Sequence, residues 1–371
     1  MLSNNQKAFL SLVRAGLWEQ EVRLATSEII DLKEIYRLSQ EQSVVGLVAA
    51  GIEQIKDVYF PKEEILTIVG DALQLEQQNI AMNAYVAKLF GQFENEGVFA
   101  VLVKGQGVAQ CYQRPLWRSC GDIDLLLDNN NYIKAKEYLK ANTDSEEEEV
   151  AERLHKGFHA GPWVVELHGT LRGRLYDKID CELDAIQKDL FEHRKIREWN
   201  NDNIVIPLPS PDNDVIFIFT HILQHFSQSG IGLRQICDLC RLLWKCRTSI
   251  NPHLLQERLN RMDLIKEWKS FGALMVQYLG LPVEAMPLYD ESERYKKKAS
   301  RVIRFVFDVG NMGHNRDTSY VHKYPYVVVK IISFFRESFD AVRHGFIFPK
   351  YAGRVWLMMV YDGVMSAIKG K

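Results

Sequence analysis

The chain has 371 residues, of which 47% are hydrophobic and 25% charged, so it is large enough to bury a sizeable core and to divide into domains. Its 46 basic and 48 acidic residues give a formal net charge of −2, which excludes an overall positive field that would attract nucleic acid. Charges interrupt every apolar run before transmembrane length, and the N-terminus lacks the apolar core of a signal peptide. A reduced, cytoplasmic location is therefore expected.

Residues 1–95 are expected to form a helical N-terminal region. Asp31 followed by Glu34 is typical of a helix start. Apolar residues then recur at helical spacing from Ile65 to Phe93, and Gly70 marks the point where this helix would divide into two. No group of catalytic residues stands out here, so this region is expected to pack against the rest of the chain.

Residues 96–209 are expected to form an α/β core around a small mixed sheet. The apolar, β-branched run from Val98 to Val103 predicts a strand covered on both faces, and a second strand is predicted over Asp122–Leu127. Segments His155–Ala160 and Trp163–His168, joined by a Gly-Pro turn, predict a hairpin.

A helix, a loop and one more apolar segment are also predicted within residues 96–209. Asn129 to Asn131 are expected to cap a helix that covers roughly 132–141. The acidic run from Asp144 to Glu149 is expected to be a solvated loop, and Ile204 to Leu208 is one more short apolar segment.

Residues 210–371 are expected to form a helical C-terminal domain. Ser210-Pro211 provides a cap and a first-turn proline for its first helix. Later breaks are predicted at Gly230, at Asn251, and at three further places, which are Asp263, Pro282 and residues 310–313. The predicted fold class is therefore mixed α+β, with a small mixed sheet flanked by helical regions.

Asp122 and Asp124 stand on either side of Ile123 in the second predicted strand. Residues two apart in a strand project to the same face, so both carboxylates point the same way. Two neighbouring carboxylates in an apolar strand raise each other's pKa unless a cation separates them. This pattern indicates a divalent metal, although an edge strand with two solvated acids is the structural alternative.

Glu166 is the best candidate for a third oxygen ligand, because it lies in the apolar strand WVVELHG and shares one face with His168. Asp122, Asp124 and Glu166 would hold two Mg²⁺ ions, with Mn²⁺ as an alternative, and two such ions suit a nucleoside triphosphate. Glu166 would also take the proton from an acceptor hydroxyl. His168 is expected to contact the nucleotide.

Phosphates need positive charge and backbone amides. Lys104 leaves the first strand directly into Gly105-Gln106, a turn that would point N–H groups at a phosphate. Arg118, four residues before Asp122, would neutralise charge on a phosphate or on pyrophosphate. The Lys-Gly pair alone is better explained as an ordinary turn after a strand, but together with the three acids it favours a catalytic site.

The Lys-Gly turn, the intervening Arg, the run Gly-Asp-Ile-Asp-Leu-Leu-Leu and the later Glu-Leu-His resemble the uncharacterised nucleotidyltransferase family of the polymerase-beta-like superfamily. The resemblance implies Mg²⁺-dependent transfer of a nucleoside monophosphate from a nucleoside triphosphate. It makes Asp122 and Asp124 metal ligands and Glu166 the third acid. The sequence departs from the superfamily pattern in one place, because Gln106 stands where serine is usual.

The segments HILQHF and GLRQICDLCRLL also resemble part of that family, more loosely, which implies that Arg234 and Asp238 orient the substrate. Arg234 and Asp238 are also four residues apart in a predicted helix, which is the spacing of an ordinary ion pair within a helix. His221 and His225 permit a zinc site, but two helix-face histidines near a domain interface are the preferred interpretation. The two cysteines of this segment, at positions 237 and 240, are expected to be core or interface residues.

Two other functions remain open on the sequence. One is an inactive member of the family that binds nucleotide and regulates, and the other is a helical scaffold that binds a partner protein. For the enzyme, the acceptor stays unidentified; a small molecule or a protein is favoured over nucleic acid because the chain is nearly neutral.

Overall fold

The computed structural model describes residues 2–24, 30–150, 154–173, 175–313, 315 and 323–368. The fold is mixed α+β, as predicted. The helices of the described residues are α1 (Asn4–Trp18), α2 (Leu32–Glu41), α3 (Val45–Ile52), α4 (Lys62–Asn95), α5 (Gly105–Ala109), α6 (Asn129–Asn142), α7 (Asp177–Phe191), α8 (Pro211–Gln228), α9 (Leu233–Lys245), α10 (Pro252–Arg261), α11 (Ile265–Leu279), α12 (Glu293–Val309), α13 (Tyr326–Gly345) and α14 (Pro349–Ile368). The strands are β1 (Val101–Val103), β2 (Asp122–Leu126), β3 (Ser145–Glu146), β4 (His155–Ala160), β5 (Trp163–His168), β6 (Ile196–Asn201) and β7 (Ile204–Pro209).

The N-terminal region is helical, as expected. Asp31 caps α2 by accepting hydrogen bonds from the backbone N–H groups of Lys33 and Glu34. The expected division at Gly70 is wrong, because α4 continues through it as one helix of 34 residues. A glycine inside a helix costs only about 1 kcal/mol, and the packing of buried residues such as Ile68 and Ala72 on either side of it outweighs that cost.

The main sheet has five strands in the order β1-β2-β5-β4-β3. β2 and β5 are parallel, and the other three pairings are antiparallel, including the predicted β4–β5 hairpin. The acidic run is only partly a loop, because Ser145–Glu146 forms the edge strand β3. Lys156 and Lys140 lie 2.9 and 3.8 Å from the Glu146 carboxylate, and these cations make an acidic edge strand tolerable.

The sheet lies between two apolar layers. Ile123, Leu125, Val165 and Leu167 face a cluster built with α4, α6 and the β6–β7 hairpin. On the other face, residues such as Leu126 join a larger cluster that includes α1, α3, α8, α9, α11 and α12. The polar side chains of β2 and β5 therefore point toward the C-terminal helices, where the candidate site lies.

Some local predictions need correction. Asp128, and not Asn129 to Asn131, caps α6, since its carboxylate accepts from the N–H of Asn131. Helix α7 and strand β6 were not predicted from the sequence, whereas β7 coincides with the apolar segment from Ile204. The predicted helix breaks after residue 210 all fall between α-helices, and the last of them contains a short 3-10 helix, Asn311–Gly313.

The strands among the described residues all lie within 101–209. The division into three domains stays a prediction. No helix in the described part of the chain combines the length and the hydropathy needed to cross a membrane.

Candidate active site

The parallel pairing of β2 with β5 brings the three predicted acids together. Asp124 is the direct neighbour of Glu166 in the register, and Asp122 lies two residues earlier on the same face. One oxygen atom from each of the three carboxylates lies within 4.8 Å of the other two. Ile123 and Val165 point into the apolar cluster on the opposite face, so strand alternation fixes the direction of the acids.

Lys104 lies at the end of β1 and faces these carboxylates. Its Nζ is 2.7 Å from Oδ1 of Asp124, in an ion pair whose aspartate side chain is 3% exposed. The turn is tight, because Lys104 has φ 57° and Gly105 has φ 38°. A Cβ atom on Gly105 would lie 3.4 Å from the carbonyl oxygen of Asp122, so glycine allows this turn to approach the start of β2 closely.

The three acids differ in the pKa that their surroundings impose. Burial and the neighbouring Asp124 charge raise the pKa of Asp122. Burial alone would raise the pKa of Asp124, but Lys104 and His168 have a larger opposite effect, so the pKa is lowered. Hydrogen bonds from His155 and His168 lower the pKa of Glu166. Asp122 is therefore the carboxylate whose charge is least compensated.

Two histidines complete the polar face of the hairpin. Nε2 of His168 lies 2.8 Å from Oδ1 of Asp124 and 3.4 Å from Oε2 of Glu166. Nε2 of His155 lies 3.2 Å from the same Glu166 oxygen. Burial alone would lower the pKa of His168, but its bonds to Asp124 and Glu166 raise it.

His155 was not predicted from the sequence, although the hairpin itself contains the signal. The turn after Ala160 pairs Ala160 with Trp163, and five steps outward along both strands the register pairs His155 with His168. A predicted hairpin with this turn therefore already implies that the two imidazoles are neighbours on one face.

Arg118 and Asp238, predicted separately as nucleotide contacts, are paired with each other. The guanidinium donates from Nε (3.0 Å) and from a terminal nitrogen (2.6 Å) to the two carboxylate oxygens. The Tyr112 hydroxyl donates to the same carboxylate at 2.7 Å. Arg234 donates to the carbonyl of Ser119 at 2.9 Å. These interactions hold the segment before β2 against α9.

The side chain of Gln106 points away from the acids. It is 2% exposed, and its amide donates to Oδ1 of Asn79 at 2.7 Å. Asn79 in turn donates to the carbonyl oxygens of Leu116 and Arg118. The structure thus places Gln106 in the contact between α5 and α4, whereas the other predicted residues surround a common cavity.

This cavity has a volume of about 440 Å³ and lies between the sheet and helices α8 and α9. The predicted residues that line it are Lys104, Gly105, Arg118, Asp122, Asp124, Glu166, His168, Arg234 and Asp238. Cys237 and Cys240 are buried, as expected, and lie in α9.

Helix α8 contributes His221 and His225 to the same cavity, with their Nε2 atoms 3.1 Å apart. Burial, followed by the charge of Lys104, lowers the pKa of His221 well below its usual value and that of His225 to about 4. Both imidazoles therefore present neutral rings to the cavity near neutral pH.

Comparison with known proteins gives one family and one solved structure. A family profile described as an uncharacterised nucleotidyltransferase matches residues 28–280. The crystal structure of an antigenic nucleotidyltransferase-like protein from Paracoccidioides brasiliensis is 15% identical to this chain, with a TM-score of 0.33. That match covers 54% of this chain and 93% of the other. No curated protein matches the sequence.

Proposed function

Because the chain belongs to the uncharacterised nucleotidyltransferase family, we propose that it transfers a nucleoside monophosphate from a nucleoside triphosphate to an acceptor, with Mg²⁺ or Mn²⁺ as metal. The observation that carries this proposal is the convergence of Asp122, Asp124 and Glu166 within 4.8 Å at a cavity that Lys104 also lines. Three carboxylates, a cation and room for a ligand are thus in one place.

The chemistry of the ligand set fits magnesium. Mg²⁺ prefers hard oxygen ligands and is usually bound through a few carboxylates together with substrate phosphates. Asp122 supplies such an oxygen, and its raised pKa indicates that a further positive charge beside it would be favourable. Asp122, Asp124 and Glu166 would hold the two metal ions, and bound ions would offset the negative charge of the triphosphate.

The remaining groups act directly on the substrates. Lys104 would contact a phosphate, since its Nζ already lies among the three carboxylates. Arg234 lines the cavity wall and adds a second positive charge. Glu166 would accept the hydrogen bond of the attacking hydroxyl, and its lowered pKa keeps it ionised for that role.

The volume of the cavity limits the kind of acceptor that the site can admit. A volume of about 440 Å³ is in the ordinary range for pockets that bind small molecules, a class that includes nucleotides. The acceptor would then reach the site from the cavity mouth as a small molecule or a protein side chain. Nucleic acid is disfavoured, because the net charge is −2.

One observation favours a second candidate, a nucleotide-binding regulator without turnover. Asp124 is already neutralised within the chain, by Lys104 at 2.7 Å and by His168 at 2.8 Å. A metal ion must compete with both cations for this carboxylate. If they are not displaced, the cavity binds nucleotide without the metals that transfer requires.

Pyrophosphate release separates the two candidates. The full chain is incubated with each of the four nucleoside triphosphates, Mg²⁺ or Mn²⁺ and a heat-treated cell extract that supplies small-molecule and protein hydroxyls as acceptors. Asp122→Asn, Asp124→Asn and a control, Asp128→Asn, which alters only the α6 cap, are treated in the same way. If the chain is an enzyme, the unmodified chain and the control should release pyrophosphate and the two site variants should not. If the chain is a regulator, all four proteins should bind nucleotide and none should release pyrophosphate.

A further inference from the structure

A second group of metal-ligating side chains lies beside the three carboxylates and shares Glu166 with them. His155, Glu166 and His168 each place one ligand atom within 4.8 Å of the other two. His155 and His168 are direct partners across β4 and β5, with ring centroids 4.8 Å apart. Glu166 lies two residues before His168 on the same face of β5. Strand pairing therefore positions all three ligands.

The separations between these atoms have the size of a coordination shell. Nε2 of His155 and Nε2 of His168 lie 3.2 and 3.4 Å from one oxygen, Oε2 of Glu166. Two ligand atoms of a tetrahedral zinc ion, each bonded at about 2.0–2.1 Å, are roughly 3.3 Å apart. Two of the three separations therefore match a zinc shell, and the ligand atoms of the two histidines lie within 4.8 Å of each other.

An ion can also reach the three ligands. Their side chains line the cavity and are between 21% and 28% exposed. Gly157 is the residue opposite Glu166 on β4, and the space that its Cβ would take is filled by the side chain of Glu147, so access to the three ligands is from the cavity. Three protein ligands leave a further coordination position for water or for a substrate oxygen.

We propose that His155, Glu166 and His168 bind a transition-metal ion of the Zn²⁺ class. Imidazole nitrogen suits zinc, cobalt and related ions, whereas carboxylate oxygen suits Mg²⁺. Asp122 and Asp124 offer oxygen only, so the two groups prefer different ions and share Glu166 as a bridge. This metal site goes beyond the proposed nucleotidyl transfer and holds whether or not the chain turns over nucleotides.

Metal binding has a defined consequence for Asp124. His168 contacts Asp124 through the same Nε2 that would ligate the ion, so ligation replaces that hydrogen bond. Among the described residues, Asp124 then keeps Lys104 as its ion-pair partner. The alternative is that the two histidines serve only as hydrogen-bond partners that orient Glu166 and Asp124.

Cobalt titration distinguishes the two roles without any nucleotide. The full-length chain is stripped with a chelator, titrated with Co²⁺, followed by its visible d–d absorption, and then back-titrated with Zn²⁺. We expect one equivalent of Co²⁺, displaced by Zn²⁺, with affinity at least about 10-fold weaker in His155→Ala, since even outer-shell changes cost a metal site 10–100-fold. Asp122→Asn keeps the site, because Asp122 is not one of its ligands.

Two histidine variants serve as matched controls. His159 lies on the same strand and pairs with Glu147, so His159→Ala should bind Co²⁺ like the unmodified chain. His225→Ala tests the other imidazole pair of the cavity and should also leave binding unchanged. The proposal is overturned if His155→Ala binds as tightly as the unmodified chain, or if His225→Ala is the variant that loses the ion.

A measurement on the unmodified chain covers the case in which His155→Ala does not fold. X-ray absorption of the zinc-loaded protein should report two imidazole ligands together with oxygen. A shell of oxygen atoms alone contradicts the proposal. Because neither experiment contains a triphosphate, their failure is separate from a failure of the transfer reaction.

Discussion

Asp124 and Glu166 lie side by side across the parallel strands β2 and β5, and His168 contacts both carboxylates through one nitrogen atom, at 2.8 and 3.4 Å. Lys104 compensates Asp124 from one side, and His155 contacts Glu166 from the other. Asp124 and Glu166 therefore have charge partners within the chain, whereas the charge of Asp122 is the least compensated of the three. Any metal that binds must exchange with these groups, and this competition has measurable effects on stability and on ligand binding.

Removing Lys104 should destabilise the chain without metal and strengthen its response to metal. In Lys104→Met, Asp124 stays buried and keeps His168 as its partner among the residues that the structure describes, which predicts a loss of about 3 kcal/mol in the free energy of unfolding. Added Mg²⁺ should restore part of this loss. Urea unfolding with and without Mg²⁺ measures both effects.

Lys136→Met is the matched control for this change. Lys136 pairs with Glu149 at 3.0 Å in a more exposed position, and its removal should cost less than about 1 kcal/mol. Equal losses in the two variants, or no recovery of Lys104→Met by Mg²⁺, would contradict a charge balance centred on Asp124.

The Arg118–Asp238 pair should matter much more than an exposed pair of the same two residue types. Asp238→Asn leaves the Arg118 guanidinium buried without its counter-charge, so we expect a loss of about 3–5 kcal/mol in unfolding free energy. Asp184→Asn removes the partner of Arg172 at the surface and should stay within about 1 kcal/mol. Chemical denaturation compares them, and similar losses would show that burial of the pair is not decisive.

Gln106 should act through stability and not through nucleotide contact. Gln106→Ala removes the donor to the buried Asn79 oxygen, which predicts a loss of about 2 kcal/mol in unfolding free energy. Nucleotide affinity, measured by calorimetry on the folded variant, should match that of the unmodified chain. A variant that folds with normal stability but binds nucleotide weakly would show that Gln106 contacts the nucleotide.

Acid should destabilise the chain through His225. Burial, Lys104 and Arg234 lower the folded-state pKa of His225 to about 4, against 6.5 for an ordinary histidine, while Asp124 acts in the opposite direction. The unfolded chain therefore takes up this proton as pH falls below 6.5, and the folded chain does not until about pH 4. Stability should fall across that window, by up to about 3 kcal/mol from this residue.

His225→Gln provides the comparison for the pH effect. The variant cannot take up the proton, so its stability should fall less between pH 6.5 and about 4 in a series of urea unfolding curves. His221, whose pKa is also lowered, would supply the decline that remains. Identical slopes for the variant and the unmodified chain would mean that His225 titrates normally in the folded state.

The sequence was sufficient to predict that the acids share one face of their strands, because strand alternation is local and only one face of β2 and β5 carries charge. It was insufficient for Gln106, since a turn sequence does not determine whether the side chain points toward the phosphates or toward α4. The Asn79 amide that decides this question lies 27 positions away in the chain. Long-range partners of this kind leave no periodic pattern.

Other omissions have local physical reasons. In α7, Ile179, Leu183, Ile186 and Leu190 keep helical spacing and are buried, so periodicity alone would have identified that helix. The strand β6, with sequence IREWNN, carries polar residues on both faces and forms because β7 pairs with it. Its pattern alone resembles a loop, and only the pairing makes it a strand.

Thermal unfolding of the chain with a nucleoside triphosphate, with and without Mn²⁺, tests the central claim most directly, since it needs no acceptor. The claim is that Asp122, Asp124 and Glu166 bind metal and triphosphate together. We expect the triphosphate with Mn²⁺ to raise the melting temperature of the unmodified chain and of Asp128→Asn, while a chelator or Asp122→Asn abolishes the shift. No shift with any of the four triphosphates, or an equal shift in Asp122→Asn, would contradict the account.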